Sequence, residues 1–191
     1  ADIPSQTGKR ILITGANSGI GYYAALTLAR KGAHVVMACR DRRKGEAALT
    51  RLASEAPGTG TELAILDLAS LASVREFAAR ELAGGHPLNI LINNAGVMAP
   101  PKRLETVDGF ELQFGTNYLS HFALTAELLP LLLAAQTPRV VNVSSLAHRF
   151  GQINFDDLQA EKRYSPMKYY GQRKLANLMF AFELQRRLTA A

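Results

Sequence analysis

The sequence predicts an α/β fold with a doubly wound parallel sheet, covered by helices on both faces in three α/β/α layers. Short β-branched and apolar runs alternate along the chain with longer segments of helical period, which is typical of parallel strands joined by crossover helices. The short runs lack polar alternation, as expected for strands buried on both faces. With 191 residues, 48% of them hydrophobic, the chain is long enough to bury one core.

The predicted elements follow one another in strict alternation. The strands are expected at residues 10–14, 34–39, 62–66, 89–92 and 139–143. The helices are expected at about 20–31, 43–56, 70–82, 110–133 and 166–188. Glycine and proline at 57–60 and 84–87 are typical of turns between elements, not of interdomain linkers. We therefore expect a single domain over residues 1–191.

Composition argues against several classes of partner. Although the net charge is +6, the basic residues are scattered apart from one run at 40–44, so we expect no nucleic-acid partner. No segment has the ~18 uninterrupted apolar residues of a membrane span, and the N-terminus lacks a signal core. The single cysteine, Cys39, indicates a reducing compartment. These features predict a cytoplasmic protein without a membrane partner, and the four dispersed histidines predict no metal site.

The first predicted strand leads into the sequence TGANSGIG at residues 14–21. Glycines there allow a sharp turn and a close approach to a pyrophosphate, which would lie on the N–H groups at the start of the next helix. This strand, turn and helix context predicts a dinucleotide site rather than a mere tight turn. The expected contacts are Gly15, Asn17, Ser18, Gly19, Ile20 and Gly21.

The residue after the second strand bears on the choice of cofactor. A carboxylate there would bind the ribose 2′-hydroxyl of NAD, whereas an arginine would bind the 2′-phosphate of NADP. Arg40 stands in line with the strand end and three further cations follow, so we expect NADP, with NAD less favoured. Asp41 is the competing feature, because its carboxylate could bind the ribose instead.

Two further strand ends supply expected cofactor contacts. Asp67, followed by Leu68, could accept the adenine amino group, or it could belong to the N-cap region of the next helix. Asn94, Ala95 and Gly96 follow the fourth strand at the edge where open α/β sheets bind ligands. Their position favours cofactor contact or support of the sheet.

The last predicted helix presents Tyr170 and Lys174 on one face, four residues apart. A nearby ammonium favours the phenolate form of a tyrosine, which makes the tyrosine a usable proton donor. The pair of hydroxyls at Ser144 and Ser145 ends the fifth strand at the same ligand-binding edge. Asn117 places an amide inside an apolar helix, where it needs either a function or a hydrogen-bond partner.

These motifs together resemble the classical branch of the short-chain dehydrogenase/reductase family, which has a Rossmann-type fold. The matching motifs are TGxxxGxG at 14–21, NNAG at 93–96, Asn117, the strand end at 141–145, and YxxxK at 170–174. The resemblance implies that Tyr170 donates the proton and that Ser145, the second serine, binds the substrate oxygen. It implies that Lys174 binds the nicotinamide ribose, so Tyr170 and Lys174 also contact the cofactor, and that Asn117 anchors a water for proton relay.

The segments at 146–148, 154–158 and 174–177 are similar to the retinol-dehydrogenase and WW-domain-oxidoreductase-like branch. This similarity implies an apolar alcohol or carbonyl as the small-molecule substrate. The sequence leaves the oligomeric state open, and the resemblance to the wider family implies that a homo-oligomer would pair through the helices bearing Asn117 and Tyr170. Arg173 departs from the serine more usual before the lysine. The rival hypothesis is a noncatalytic NADP(H)-binding redox sensor or interaction module.

Five strands precede the end of the sequence, whereas a doubly wound dinucleotide fold of the usual order has six. We therefore expect that the family's C-terminal strands are missing and that the native polypeptide continues beyond Ala191 with at least one more strand and the substrate lid.

Overall fold

A computed structural model describes residues 3–190 of the chain. Five strands are present: β1 (Arg10–Thr14), β2 (His34–Cys39), β3 (Thr61–Ile65), β4 (Ile90–Asn93) and β5 (Arg139–Asn142). The helices are α1 (Gly19–Arg30), α2 (Arg42–Glu55), α3 (Leu71–Gly84), α4 (Leu112–Phe114), α5 (Ser120–Glu127), α6 (Leu129–Leu133) and α7 (Pro166–Ala190). A π-helical segment, Gly115–Leu119, joins α4 to α5, and 3₁₀ turns cover Leu146–Phe150 and Phe155–Asp157.

The strands form one parallel sheet in the order β3-β2-β1-β4-β5. The chain therefore winds outward from β1 in one direction and then returns to wind in the other. The order reverses between β1 and β4, and the crevice at such a reversal, outside the carboxyl ends of the strands, is where open α/β sheets bind ligands. The predicted fold class is confirmed, with strand bounds displaced by no more than one residue.

Two apolar cores cover the two faces of the sheet. On one face Leu12, Val36 and Leu91 pack with residues of α3 and α5. On the other face Ile11 and Val35 pack with residues of α1 and α2. Because successive strand residues point to opposite faces, β1 contributes to both cores and is buried along most of its length.

The helix predicted at 110–133 is interrupted. The side chain of Glu111 accepts hydrogen bonds from the backbone N–H groups of Gln113 and Phe114 and so caps α4. The π-helical segment follows, and α5 then ends before α6, whose first turn contains Pro130. Proline has no N–H to continue a helical hydrogen-bond ladder, which accounts for the second interruption. The apolar periodicity correctly predicts helical structure in this region, but it does not show these breaks.

At one edge of the sheet, β5 pairs with β4 and has no second strand partner within residues 3–190. The expected sixth strand would follow Ala191, which lies outside the described residues. Helix α7 leaves Met179 and Phe182 exposed beyond its contacts with the rest of the fold. Among the described helices, none is both long enough and apolar enough to cross a membrane.

Candidate active site

A groove of about 390 Å³ lies at the carboxyl edge of the sheet, across the reversal between β1 and β4. Most of the residues predicted to bind the cofactor line it: Gly15, Asn17, Ser18, Ile20, Gly21, Arg40, Asp67, Leu68, Asn94, Ala95 and Gly96. The structure thus brings together four chain segments that are far apart in sequence. Gly19 begins α1 without lining the groove, and Tyr170 and Lys174 lie on α7 outside the groove lining.

The glycine loop has the close packing that a phosphate-binding turn requires. Gly15 adopts a φ of +66°, which favours glycine. A Cβ at Gly21 would collide with the carbonyl oxygen of Gly15 and the side-chain amide of Asn94. Ser18 is the N-cap of α1, yet its side chain makes no capping bond, and the first turn contains no acidic residue. The positive end of this helix is therefore well suited to an anion.

Asn94 braces this loop from the neighbouring strand. Its side-chain amide donates a 2.8 Å hydrogen bond to the carbonyl of Thr14. The backbone N–H groups of Asn94 and Ala95 both donate to Thr14 Oγ1, at 3.0 Å each. Both readings of the NNAG motif therefore fit the geometry, because its residues support the sheet and also line the groove. Thr14 itself was missed as a groove residue, although it opens the glycine motif.

The charged residues at the end of β2 have different surroundings. Asp41 is the N-cap of α2, and its Oδ1 accepts a 3.0 Å hydrogen bond from the backbone N–H of Lys44. This bond, with the charges of Lys44 and Arg43, lowers the pKa of Asp41 below its ordinary value. Arg40 is exposed and lines the groove. One oxygen of the carboxylate that competed with Arg40 therefore caps a helix.

At the end of β3, Asp67 forms a local turn. Its Oδ1 accepts a 2.9 Å hydrogen bond from the N–H of Ala69, and its own N–H donates to Ser73 Oγ. The N-cap of α3 is Ser70, three residues later. Asp67 thus precedes the cap and faces the groove, so the geometry allows both roles that the sequence left open.

Tyr170 and Lys174 are neighbours on α7, with Lys174 Nζ 5.7 Å from the centroid of the Tyr170 ring. Nζ also donates a 2.8 Å hydrogen bond to the carbonyl of Val143, just past β5. Burial lowers the pKa of Lys174 below its ordinary value. An ammonium has three N–H donors. The hydrogen bond to Val143 uses one of them and orients the group, which leaves two donors for other partners.

The two serines after β5 have separate partners. Ser144 Oγ donates a 2.8 Å hydrogen bond to the main-chain carbonyl of Lys174 and so fastens α7 to the strand end. Ser145 caps the 3₁₀ turn Leu146–Phe150, where its Oγ accepts from the N–H of Ala147 at 3.2 Å. Because a hydroxyl that accepts in this way keeps its own proton, Ser145 can still donate to another group.

Asn117 is fully buried in the π-helical segment. Its Oδ1 accepts from the N–H of Val97, and its Nδ2 donates to the carbonyl of Val97, both at 2.8 Å. This pair of bonds satisfies an amide that would be costly to bury alone. The side chain thus ties the helix to the segment after β4, and the main-chain carbonyl of Asn117 is contacted by His121 Nδ1 at 3.2 Å.

Two buried residues were not recognised in the sequence as part of the site's support. Arg173 is fully buried, lies 3.4 Å from the carboxylate of Glu111, and packs between the rings of Phe114 and Tyr169. His121, expected to have a surface or packing role, is buried and hydrogen-bonded to Thr14 Oγ1. In the sequence, the position of His121 four residues after Asn117, on the same helical face, is the feature that indicates its place near the site.

Within residues 3–190, no cluster of three His, Cys, Asp or Glu side chains is arranged to hold a metal.

Comparison with known proteins gives the family. The family model of the short chain dehydrogenases matches residues 9–163, which is most of the chain. The protein therefore belongs to the short-chain dehydrogenase family of oxidoreductases.

Its similarity is to the retinol dehydrogenases in particular. Retinol dehydrogenase 12 of Mus musculus is 50% identical over 181 residues, which cover 95% of this chain and 57% of that protein. Retinol dehydrogenase 13 of Homo sapiens is 50% identical over 182 residues, covering 95% of this chain and 55% of that protein. The expected family and branch are thus confirmed. The chain spans just over half the length of these curated relatives.

Solved structures agree. An uncharacterised protein from Mycobacterium paratuberculosis is 53% identical, with a TM-score of 0.88 over 99% of this chain and 66% of that one. The complex of Pseudomonas aeruginosa RhlG with NADP is 29% identical, with a TM-score of 0.76 over 97% of this chain and 68% of that one.

Proposed function

We propose that the protein transfers a hydride between NADP(H) and an apolar carbonyl or alcohol. The observation that supports this most directly is the position of Lys174, whose ammonium is held by the Val143 carbonyl beside the ring of Tyr170. This arrangement places a proton donor and a cation on one helix, next to the strand end that bears Ser145.

The groove residues fit a nicotinamide dinucleotide. A Cβ at Gly21 would clash with the loop, and the N-terminus of α1, which has no side-chain capping bond from Ser18, suits a pyrophosphate. When bound, the cofactor supplies or accepts the hydride. For reduction, Tyr170 donates its hydroxyl proton to the carbonyl oxygen as the new C–H bond forms, and Ser145 donates a hydrogen bond to that oxygen. Lys174 stabilises the phenolate left on Tyr170, and alcohol oxidation reverses these transfers.

NADP is favoured over NAD by the residues after β2. Arg40 is exposed and lines the groove, and a guanidinium can bind a 2′-phosphate bidentately. Asp41, the alternative ligand for the ribose of NAD, uses one carboxylate oxygen to cap α2. Relatives at 25% and 29% identity have been crystallised with NADP, which supports the same choice.

An apolar substrate is favoured by the side chains that follow the two site strands. Met98, beyond β4, is 69% exposed, and Leu146, directly after Ser145, is 71% exposed. Both belong to the segments that leave the carboxyl edge of the sheet, where a substrate must approach. The names of the curated relatives point to retinol, an apolar alcohol, so we propose retinoids or similar long-chain aldehydes and alcohols as the substrate class.

The experiment is a turnover assay with NADPH and NADH against a panel of retinal, long-chain aldehydes and small polar ketones. We expect NADPH-dependent reduction of the apolar members, and no more than background for Tyr170→Phe. The rival function, a noncatalytic redox sensor, predicts NADPH binding in a titration with no difference in turnover between wild type and Tyr170→Phe. That second result would refute the proposed enzyme.

We also propose self-association through the helices that bear Asn117 and Tyr170. Phe122 of α5 and Phe182 of α7 are exposed apolar side chains on these helices. Phe122 also packs against Phe180 of α7, so the two helices are neighbours on this side of the fold. Exposed apolar surface on neighbouring helices is typical of an interaction surface. Sedimentation velocity should show a dimer that Phe182→Glu shifts towards monomer, with Glu183→Gln as a neighbouring control. A wild type that remains monomeric at high concentration would contradict this surface.

A further inference from the structure

His121 connects two parts of the site that are separate in sequence. It lies in the first turn of α5 and is only 2% exposed. Its Nε2 is 2.9 Å from Thr14 Oγ1, at the end of β1, and its Nδ1 is 3.2 Å from the main-chain carbonyl of Asn117. One ring thus spans from the glycine loop to the π-helical segment.

The partners of the ring decide which nitrogen carries the proton. The carbonyl of Asn117 can only accept, so Nδ1 must be the donor. In a neutral ring Nε2 is then an acceptor, and the hydroxyl proton of Thr14 is directed to it. The other acceptor near that hydroxyl, the carbonyl of Ile92, is farther away at 3.4 Å. The neutral Nδ1–H tautomer therefore satisfies every group without a buried charge.

The Thr14 hydroxyl extends the connection to the NNAG segment. Its oxygen accepts the backbone N–H groups of Asn94 and Ala95 while its proton goes to His121. A continuous chain of hydrogen bonds therefore runs from the segment after β4, through the end of β1, to Asn117. Such a fully satisfied buried network holds its members in one arrangement.

Protonation of the His121 ring would break this chain of hydrogen bonds, because a doubly protonated ring could no longer accept from Thr14. Burial lowers the pKa of His121 to about 4, and the ammonium of Lys174 is the nearby charge that acts in the same direction. The ring is consequently neutral around neutral pH, and the network is intact there.

We propose that His121 is a positioning residue that orients the carbonyl of Asn117 for turnover and, through Thr14, holds the cofactor-binding edge of β1 and β4. The side chain of Asn117 is bonded to Val97, so the carbonyl is the group that this residue can present to a water in the proton relay. The Nδ1–H of His121 donates to that carbonyl at 3.2 Å and so helps to hold it in one orientation. This inference rests on the proposed function.

Two substitutions separate the two bonds of the ring. His121→Asn retains an amide at the level of Nδ1, so it can still donate to Asn117 but no longer reaches Thr14. His121→Gln extends to the level of Nε2, so it can still accept from Thr14 but leaves the Asn117 carbonyl without this donor. We expect His121→Gln to lower kcat by about tenfold with nearly unchanged NADPH affinity. We expect His121→Asn mainly to weaken NADPH binding, by about three- to tenfold, as for one lost hydrogen bond in each case.

Thr14, the hydrogen-bond partner of His121 Nε2, provides the matched control. Thr14→Val removes the hydroxyl with little change of shape and should reproduce the loss of NADPH affinity, whereas Thr14→Ser, which restores the hydroxyl, should recover most of it. Thermal melts of all four variants at pH 7.5 compare their stability. A purely structural role predicts that turnover and affinity fall together in proportion to lost stability.

The proposal would be overturned if kcat and NADPH affinity fell by the same factors in His121→Asn and His121→Gln. A fully active His121→Phe would also overturn it. The NADPH titration is independent of catalysis. If the wild type binds NADPH but turns over no substrate, the proposed function fails. Weaker NADPH binding in His121→Asn but not in His121→Gln would still support the coupling through Thr14. Identical affinities in the two variants would refute that coupling.

Discussion

The ammonium of Lys174 donates a 2.8 Å hydrogen bond to the main-chain carbonyl of Val143. This bond joins the middle of α7 to the residue that follows β5, so the sheet and the helix together determine where the cation lies. Tyr170 lies one helical turn before Lys174, so the same bond anchors the part of α7 that carries Tyr170. Substitutions that remove a reacting group should therefore be separable from substitutions that loosen the helix.

Replacing Tyr170 with phenylalanine should abolish turnover while NADPH affinity stays near the wild-type value. The ring is retained but the transferable proton is lost, and general acid catalysis contributes roughly 10²- to 10⁴-fold. Steady-state turnover and a fluorescence titration of NADPH measure the two quantities. Tyr169→Phe is the matched control, because Tyr169 donates to buried Asp157 and should affect stability far more than turnover. A Tyr170→Phe protein with half the wild-type activity would eliminate this tyrosine as the proton donor.

Arg40→Ala should weaken NADPH by about one to two decades and leave NADH almost unchanged. Only NADPH has the 2′-phosphate, and hydrogen bonds to charged groups contribute roughly 1.5 to 3 kcal/mol. Dissociation constants for both cofactors test this. The neighbouring Arg42→Ala, which removes an exposed arginine near Glu46, serves as the control. Equal weakening of NADPH and NADH would contradict the prediction and point to Asp41 as a ribose ligand.

The two serines after β5 should give opposite phenotypes when each is changed to alanine. Ser145→Ala should reduce turnover strongly with little change in stability, because its proposed partner is the substrate oxygen. Ser144→Ala removes the bond to the Lys174 carbonyl and should lower the free energy of unfolding by about 1 kcal/mol, with a smaller loss of turnover. Urea denaturation measures the stability of both variants, and steady-state assays measure their turnover. If Ser144→Ala were the inactive one, the assignment of Ser145 would be reversed.

Glu111→Gln should destabilise the protein by about 3 to 5 kcal/mol, because it leaves the guanidinium of Arg173 buried without its countercharge. The double substitution Glu111→Gln with Arg173→Met should recover much of this loss, since it removes the unpaired charge as well. A double-mutant cycle measured by urea denaturation provides the coupling free energy. If the stability losses of Glu111→Gln and Arg173→Met simply add up to the loss in the double variant, the coupling free energy between the two side chains is zero.

The free energy of unfolding should rise with pH between about pH 4 and 6.5 because of His121. Burial lowers the pKa of its folded-state ring to about 4 from an ordinary 6.5, so the unfolded chain binds the proton first as pH falls. Stability present above pH 6.5 is therefore lost towards pH 4, by about 2 kcal/mol between pH 7.5 and pH 5.

Urea denaturation of wild type and His121→Gln at pH 5, 6 and 7.5 isolates this contribution, because His34, His86 and His148 are common to both proteins. The difference in stability between the two proteins should shrink as pH falls. A difference that stays constant across this range would show that His121 titrates normally in the folded state.

Much of the fold and the location of the groove could be predicted from the sequence. Backbone geometry repeats over a few residues, so the apolar runs of β1 and β2 and the helical period of α1 and α7 are visible in the local pattern. The same holds for the spacing of Tyr170 and Lys174, which the helix converts into a shared face. Since parallel strands place their carboxyl ends along one edge, the residues after β1, β2, β3 and β4 were expected to meet there, and the groove lies at that edge.

Only the tertiary structure determines which hydrogen-bond partner each residue of the site has. The hydroxyls of Ser144 and Ser145 are adjacent in sequence, but Ser144 donates to the Lys174 carbonyl of α7 whereas Ser145 caps the 3₁₀ turn that follows it. The buried amide of Asn117 required a partner, but only packing identifies it as Val97. His121 and Thr14 likewise meet through contact between α5 and β1. Each of these bonds joins side chains and backbone groups that are distant along the chain, so local periodicity has no information about them, and burial then makes every such polar group dependent on its partner.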